Sequence, residues 1–475
     1  MRFSIRALGI VSVIILARIL VPEDFGIVAK ASMIASFLEL ITIFGLEAAL
    51  IQNQSATAKH YDTVWTIHVF RGTFIAAILA IVASPASKFF REEALGDIMF
   101  VYALAALLRG FINVGTVDFL KNLQFQKDFK FNLYGKLAGF TVTMIVAVIW
   151  RSYWAFVIGA LAAAVTTLTA SFAMSEYRPR FSLEKWRPLF NFSKWVFTAG
   201  LIQALSVKLD TFILSRFSTT ESVGEYTVAN EISGVASTEL AMPIARATMP
   251  GLAKLNDDQE KFRATYTASL LVLLFIAVPT GVGISAVAEP ITALVLGEKW
   301  ADAAPLIEIL ALFGVARAVF AVSKSAYVSS GRVDVFAKLS IVNLTLRVVL
   351  LGAGFYMGGV IGLAWGVLIS AVIQMFLTVM AQHYLALLHA GELLGQIWRV
   401  LAAAATMYIS LKVLWPLIDI LGDTLLAIDL LLEVMIGAMV YFSSLSLFWL
   451  VSRNRQGPEA IVLAFLKQKL GSQGE

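Results

Sequence analysis

Five basic side chains lie deep inside long apolar stretches of this sequence, where a charge is costly to place. They are Arg71, Arg109, Lys208, Arg317 and Arg347. A charge at the centre of a bilayer costs about 2.5–3.5 kcal/mol on insertion scales, so such a residue normally faces a partner or a water-filled cavity. Arginine suits phosphate because its planar guanidinium stays charged and can hold two phosphate oxygens at once. These residues therefore predict a positively charged cavity that binds an anion bearing phosphate groups.

Three acidic side chains, Glu39, Asp210 and Glu239, lie at comparable depth and leave two interpretations open. They are too few to pair with all the cations, yet ion pairs between helices would account for part of both sets. A carboxylate inside the membrane can also bind a proton or Na⁺ and so couple transport to an ion gradient. Lys208 and Asp210 are two residues apart, on different faces of a helix, and are not expected to pair with each other. The three acids are thus predicted to serve in ion coupling or in ion pairs of the cavity.

Several kinds of chemistry are excluded or unsupported by the residues present. The chain has no cysteine, so disulfides, thiolate metal sites and thiol nucleophiles are excluded. The metalloprotease, Walker A and serine-hydrolase motifs do not occur in a fitting context. His68 is expected to be a contact between helices, and His383 and His389 are badly spaced for a metal. We predict no catalytic residue, no metal and no bound cofactor beyond a proton or Na⁺ gradient.

The composition indicates which solvent surrounds this chain. Of its 475 residues, 59% are hydrophobic and only 15% are charged, whereas about a quarter of an ordinary soluble domain is charged. So much apolar surface cannot be hidden in one water-soluble core, and lipid must cover it. The net charge of +5 is interpreted as basic residues kept on cytoplasmic loops, not as a nucleic-acid surface.

Fourteen apolar segments are long enough to cross a bilayer, which needs about twenty residues each. They cover approximately residues 3–21, 26–51, 62–84, 97–117, 130–150, 152–174, 191–216, 224–249, 263–288, 302–327, 335–357, 359–382, 394–418 and 424–451. Lys and Arg concentrate in alternate loops, for example at Lys121, Lys127 and Lys130, while the last loop between helices carries only Asp419 and Asp423. The positive-inside rule then predicts an all-α, multi-pass protein of the cytoplasmic membrane with both termini in the cytoplasm.

One connection between helices occurs twice, 198 residues apart, with the pattern L-x-R-x4-E-x2-G. The repeated positions are Arg18, Glu23 and Gly26 in the first copy and Arg216, Glu221 and Gly224 in the second. Arg109 and Arg317 also correspond in depth, in the fourth helix of each half. Repeats of this kind are typical of transporters, whose substrate site lies where the repeats meet.

The repeat predicts two pseudo-symmetric six-helix lobes followed by two extra helices. The predicted boundaries are 1–174 for the N-terminal lobe, 175–190 for a cytoplasmic inter-lobe linker, 191–382 for the C-terminal lobe, 383–452 for the two additional transmembrane helices and 453–475 for a cytoplasmic tail. The tail carries apolar residues between polar ones, which is typical both of a short surface helix and of a frayed terminus.

Several segments of the chain resemble the polysaccharide transporter family of the MOP flippase superfamily, the bacterial Wzx-type flippases. The likeness lies in LARILVPEDFG at 16–26, FGLEAALIQ at 44–52, LQFQKDF at 123–129, YRPR at 177–180 and the segment from Asp210 to Tyr226. This resemblance implies two lobes around a central cavity that opens alternately to either side. It also implies a cargo of undecaprenyl-diphosphate-linked oligosaccharide, drawn from membrane lipid, and cooperation with a polysaccharide polymerase and chain-length machinery.

These residues and the family resemblance agree to different degrees with three functions. An oligosaccharide flippase for exopolysaccharide, capsule or O-antigen synthesis agrees with the basic excess at membrane depth. An ion-coupled multidrug or organic-cation antiporter of the same superfamily is the alternative, and its cargo would favour acidic and aromatic groups. A membrane polymerase or ligase generally needs a large external loop, and none is present, so we predict that the chain is not an enzyme.

Overall fold

The computed structural model describes residues 2–42, 45–53, 55–186, 204–234, 242–418, 426–452 and 457–461. Throughout these residues the regular structure is helical and no strand occurs. Glu239, residues 187–203 and most of the predicted tail lie outside the described residues. The chain divides into two compact units, Met1–Thr227 and Val228–Glu475, and the predicted lobe boundaries stay a prediction.

Unit 1 consists of consecutive helices joined by short connections. They are α1 (Arg2–Ile19), α2 (Pro22–Ile41), α3 (Leu46–Gln52), α4 (Ala58–Phe90), α5 (Ala94–Gly110), α6 (Val117–Lys121), α7 (Phe125–Trp150), α8 (Trp154–Met174), α9 (204–217) and α10 (Thr220–Ser233), which runs across the boundary into unit 2. A cluster of buried apolar residues lies between α2, α4 and α5 and includes Ile75, Leu79 and Ile98.

Unit 2 continues the pattern with longer helices. They are α11 (Met242–Ala253), α12 (Gln259–Ala286), α13 (Ala288–Ile291), α14 (Ala304–Ser329), α15 (Val333–Tyr384), α16 (Ala390–Ile418) and α17 (Leu426–Val451). Within α15 the backbone leaves the helical region at Gly358 and Gly359, so two helical arms meet there. The predicted break between residues 357 and 359 is therefore confirmed.

Eight helices of the described chain are long and apolar enough to cross a membrane, or nine if one bent pair counts as a single span. The all-α integral membrane class is thus confirmed, while the number fourteen stays a prediction. Two predicted spans, 26–51 and 97–117, are not continuous helices. The first breaks at Gly45, which has a left-handed φ of 64°, and the second bends by 64° between α5 and α6.

The described part of the predicted linker is held against α4. The Asp62 carboxylate accepts hydrogen bonds from the Tyr177 hydroxyl at 2.5 Å and from the Arg180 backbone N–H at 2.7 Å. Burial, together with this hydrogen bond to Asp62, raises the pKa of Tyr177, so the phenol stays neutral and keeps donating. Phe181 adds an aromatic contact with Trp65, with ring centroids 4.8 Å apart. This segment is an ordered extension of unit 1.

Candidate functional site

A polar cavity of about 240 Å³ lies inside unit 1. Its walls come from the end of α2, the start of α3, the middle of α4 and the bend after α5. The lining residues are Glu39, Glu47, His68, Arg71, Gly72, Ile75, Ala106, Arg109, Gly110, Ile112, Asn113, Val114 and Thr116. Two of the five predicted cavity cations, Arg71 and Arg109, therefore share one cavity with two carboxylates.

Two glycines bring these arginines together. Gly72 follows Arg71 on α4, and Gly110 follows Arg109 on α5. A Cβ built on Gly72 would lie 2.7 Å from the Gly110 Cα, and one built on Gly110 would lie 2.9 Å from the Gly72 Cα. The two backbones thus touch at a distance that no side chain permits. This contact places the neighbouring arginines at the same depth, on either side of the cavity.

Arg71 supports the broken end of α2. Its Nε donates to the Thr42 hydroxyl at 3.0 Å, and its Nη2 donates to the Glu39 backbone carbonyl at 3.0 Å. The last carbonyls of a helix lack partners within the helix and attract a cation. Arg71 therefore holds the helix end in place while the rest of its charge lines the cavity.

Arg109 is the more accessible cation of the pair. Its Nη1 donates to the Glu39 Oε1 at 2.6 Å, and the two side chains keep 46% and 33% of their surface exposed. Lys208 of α9 is half-buried and has both Asp210 and Glu39 among its electrostatic neighbours. Glu39 is therefore surrounded by several basic groups.

The two predicted arginines of unit 2 lie on one aromatic ring. Arg317 and Arg347 each place their guanidinium carbon 5.5 Å from the centre of the Phe313 ring. Arg317 is exposed, whereas Arg347 retains 9% exposure. An aromatic ring orients a guanidinium, so Phe313 brings these two arginines to one place in unit 2.

Asp210 has hydrogen-bond donors close by and is 6% exposed. It accepts from the Tyr226 hydroxyl at 2.9 Å and from the Thr211 backbone N–H at 2.7 Å. These bonds hold the carboxylate between α9 and α10.

The two copies of the repeated connection pack against each other within unit 1. A Cβ on Gly26 would lie 1.8 Å from the Thr220 carbonyl oxygen, and a Cβ on Gly224 would lie 1.8 Å from the Pro22 carbonyl oxygen. Each glycine thus meets the residue four places before the other glycine, and the contact is reciprocal. Lys30 closes the same region, because its Nζ donates to Glu92 at 3.0 Å and to Thr220 at 2.7 Å.

The charged positions of the repeat lie outside this contact. Arg18, Glu23 and Glu221 are exposed. The Arg216 guanidinium lies 4.9 Å from the centre of the Phe89 ring. Packing of the motif in unit 1 therefore depends on its glycines and backbone.

Comparison with known proteins gives the family. The sequence model described as "Polysaccharide biosynthesis protein" matches residues 15–305, more than half of the chain. The protein belongs to this family. It is also 28% identical over 385 residues to the lipopolysaccharide biosynthesis protein WzxC of Escherichia coli strain K12, a match that covers 78% of this chain and 76% of WzxC.

Solved structures agree on the fold. The lipid II flippase MurJ, in its inward closed conformation, matches with a TM-score of 0.74 over 94% of this chain and 97% of MurJ, at 12% identity. An inward-facing multidrug resistance transporter of the MATE family matches with a TM-score of 0.62 over 79% of this chain and 93% of its own, at 15% identity. At such identities the likeness concerns the fold alone.

Several polar residues of this family member escaped the sequence analysis. Glu47 lines the cavity although it stands in an apolar stretch, and the glycine two residues before it was the available signal of a helix break. Asp429 and Glu433 are buried in α17, and their four-residue spacing inside an apolar span could have identified them.

Proposed function

We propose that this protein is a flippase that moves undecaprenyl-diphosphate-linked oligosaccharide repeat units across the bacterial inner membrane. The observation that carries the proposal is the cavity of unit 1, with two arginines among membrane helices. A lipid diphosphate must leave the headgroup layer to cross the bilayer, and guanidinium groups in a polar cavity compensate for its lost hydration. Membership of the polysaccharide biosynthesis family supports the glycan part of the cargo.

Arg109 is the residue we expect to receive the diphosphate. Its guanidinium is nearly half exposed and holds Glu39 through one nitrogen, so an entering phosphate can take the place of that carboxylate. Arg71 stays bound to the end of α2 and adds positive charge at fixed geometry. Binding therefore exchanges one anion for another and leaves no guanidinium without a partner.

Arg317 and Arg347 of unit 2 are proposed as a second phosphate contact. The Phe313 ring lies 5.5 Å from the guanidinium carbon of each and brings the two groups to one place. The correspondence of Arg109 and Arg317 in the sequence repeat supports the use of both during one transport cycle.

Alternating access would require the reciprocal glycine contact to open and close. The contact has little side-chain volume between its backbones, so it can seal tightly and still separate without repacking a core. By the positive-inside rule, which predicts cytoplasmic termini, these connections face the outer side of the membrane.

The structure describes two of the three predicted coupling acids, Glu39 and Asp210. Of these two, Glu39 is the better candidate for ion coupling. When the cargo displaces it from Arg109, its carboxylate is left to bind a proton or Na⁺. Asp210 keeps donors from Tyr226 and Thr211 that do not involve the cavity arginines, which favours a structural role.

We propose that the chain moves its cargo without catalysing a reaction on it. A polysaccharide polymerase and chain-length machinery are the proposed downstream partners. The organic-cation antiporter is less well supported. Its cargo would meet Arg71 and Arg109 in the cavity, and the family model concerns polysaccharide biosynthesis.

Deleting the gene tests the proposed function in cells. We expect the surface polysaccharide to disappear and its undecaprenyl-diphosphate-linked repeat unit to accumulate on the cytoplasmic leaflet, because synthesis continues while export stops. Lipid extraction and mass spectrometry would measure the intermediate. Restoring the gene on a plasmid is the control, and a deletion strain with normal polysaccharide and no lipid-linked intermediate would contradict the proposal.

A further inference from the structure

Three carboxylates and one ammonium group gather in unit 2 at one end of α14, α16 and α17. Glu308 lies in the second turn of α14, Lys412 near the end of α16, and Asp429 and Glu433 in the first two turns of α17. All four belong to apolar helices that qualify as membrane spans. None of them forms part of the cavity in unit 1.

Glu308 already has its partners. Its Oε1 accepts a hydrogen bond from the Tyr408 hydroxyl at 2.7 Å and lies 3.5 Å from the Lys412 Nζ. About a third of the surface of each charged side chain remains exposed, 33% for Glu308 and 37% for Lys412. This pair is close to neutral and partly exposed, and it uses the one ammonium group of the cluster.

Asp429 and Glu433 are much more deeply buried than Glu308 and Lys412. They retain 5% and 2% exposure. One oxygen of each, Oδ1 of Asp429 and Oε2 of Glu433, is sealed from solvent and accepts no hydrogen bond within the described part of the chain. Being four residues apart on one helix, the two carboxylates are neighbours along one face of α17 and repel each other when both are charged.

Among the residues that the structure describes, the surroundings supply too little positive charge for both. Glu433 feels the negative charge of Asp429 and the positive charge of Lys412, but Lys412 is shared with Glu308. The other elements packed on α17 are α12 and α13. The half of α12 from Leu270 to Ala286 carries no charged residue, and the one charge on α13, Glu289, is exposed. With every group ionised the cluster would carry two net negative charges.

We propose that Asp429 and Glu433 form a binding site for one monovalent cation, either a proton or Na⁺. A cation held between the two carboxylates removes their repulsion and satisfies the two sealed oxygens at once. Since this site lies outside the arginine cavity, it can be occupied independently of the cargo. If the proposed function holds, as this step requires, the site is a second place, besides Glu39, where an ion gradient acts on transport.

Cation occupancy can be measured without any cargo, so the test stands even if the flippase proposal fails. The purified full-length protein in lipid vesicles would be followed by infrared spectroscopy of its carboxyl groups while pH is varied, in sodium chloride and in choline chloride. Glu433→Gln and Asp429→Asn are the test variants. Glu289→Gln, which neutralises an exposed carboxylate on the adjacent α13, is the matched control.

We expect the wild-type protein in choline chloride to keep a protonated carboxyl at neutral pH, where exposed carboxylates are ionised, and Glu433→Gln to lose that signal. Suppression of that signal by sodium but not by choline would identify Na⁺ as the ion, and insensitivity to sodium would identify the proton. Glu289→Gln should behave as wild type. Since the test variants remove buried charge, we expect them to fold, and their melting temperature should no longer respond to pH or sodium.

Two results would overturn the site. One is a wild-type protein in which no carboxyl stays protonated at neutral pH and none responds to sodium. The other is a Glu433→Gln or Asp429→Asn variant that keeps the wild-type response in both the infrared signal and the melting temperature.

Discussion

Replacing Arg109 and Arg317 together with alanine is expected to lower surface polysaccharide by roughly a hundredfold. A hydrogen bond to a charged group contributes about 1.5–3 kcal/mol, so losing two such contacts costs about 3–6 kcal/mol, which weakens binding by roughly a hundredfold or more. Polysaccharide extracted from cells that express the variant in place of the wild-type chain would give the measurement.

The same variant should be present in the membrane at the normal level. Both side chains are exposed, and loss of the Arg109–Glu39 pair, which water reaches on both sides, costs about 1 kcal/mol or less. The matched control is Arg180→Ala with Arg332→Ala, two exposed arginines whose loss changes the net charge equally. Normal polysaccharide from a well-expressed Arg109→Ala, Arg317→Ala protein would mean that these groups do not bind the cargo.

Gly224→Ala is expected to cause a loss of polysaccharide of roughly tenfold or more and a lower melting temperature. The new methyl group would lie 1.8 Å from the Pro22 carbonyl oxygen and 3.0 Å from the Gly26 nitrogen, and backbone atoms cannot move aside as a flexible side chain can. The two repeated connections must therefore separate. Overpacking of this kind costs about 1–3 kcal/mol or more. Thermal unfolding in detergent and polysaccharide output would be measured side by side.

Gly352→Ala provides the matched control, since nothing lies within 4 Å of the Cβ it would add. Alanine in a helix is more stable than glycine by about 0.5–1 kcal/mol, so this variant should melt slightly higher and transport normally. If Gly224→Ala were indistinguishable from Gly352→Ala in both measurements, the reciprocal glycine contact would have no part in transport.

The sequence was sufficient to predict the membrane class and the individual cavity arginines. Lipid offers no hydrogen bonds and little solvation for charge, so Arg71 and Arg109 had to face a polar interior. That they share one cavity was beyond sequence reasoning, because it depends on the contact of Gly72 with Gly110 and on the helix breaks beside Gly45 and after Gly110. A hydropathy profile does not distinguish a broken helix from a continuous one.

At the repeat and at the acidic cluster, contacts between residues far apart in the sequence were likewise not predictable from the sequence. The pattern at Gly26 and Gly224 predicted a duplicated connection, but only the structure brings Gly26 onto the carbonyl of Thr220. The spacing of Asp429 and Glu433 is local and could have been recognised. The shortage of positive charge around them could not be recognised from the sequence. It arises because Lys412 pairs with Glu308, which lies 104 residues earlier in the chain.

The most direct measurement is movement of the cargo itself in vesicles. The purified protein would be reconstituted with a fluorescent undecaprenyl-diphosphate-linked oligosaccharide in one leaflet, and a membrane-impermeant quencher would report arrival in the other. We predict transfer well above that of protein-free vesicles, lost in the Arg109→Ala, Arg317→Ala protein and retained in the Arg180→Ala, Arg332→Ala control. Transfer no faster than in protein-free vesicles, with proton and sodium gradients applied in either direction, would contradict the proposed flippase.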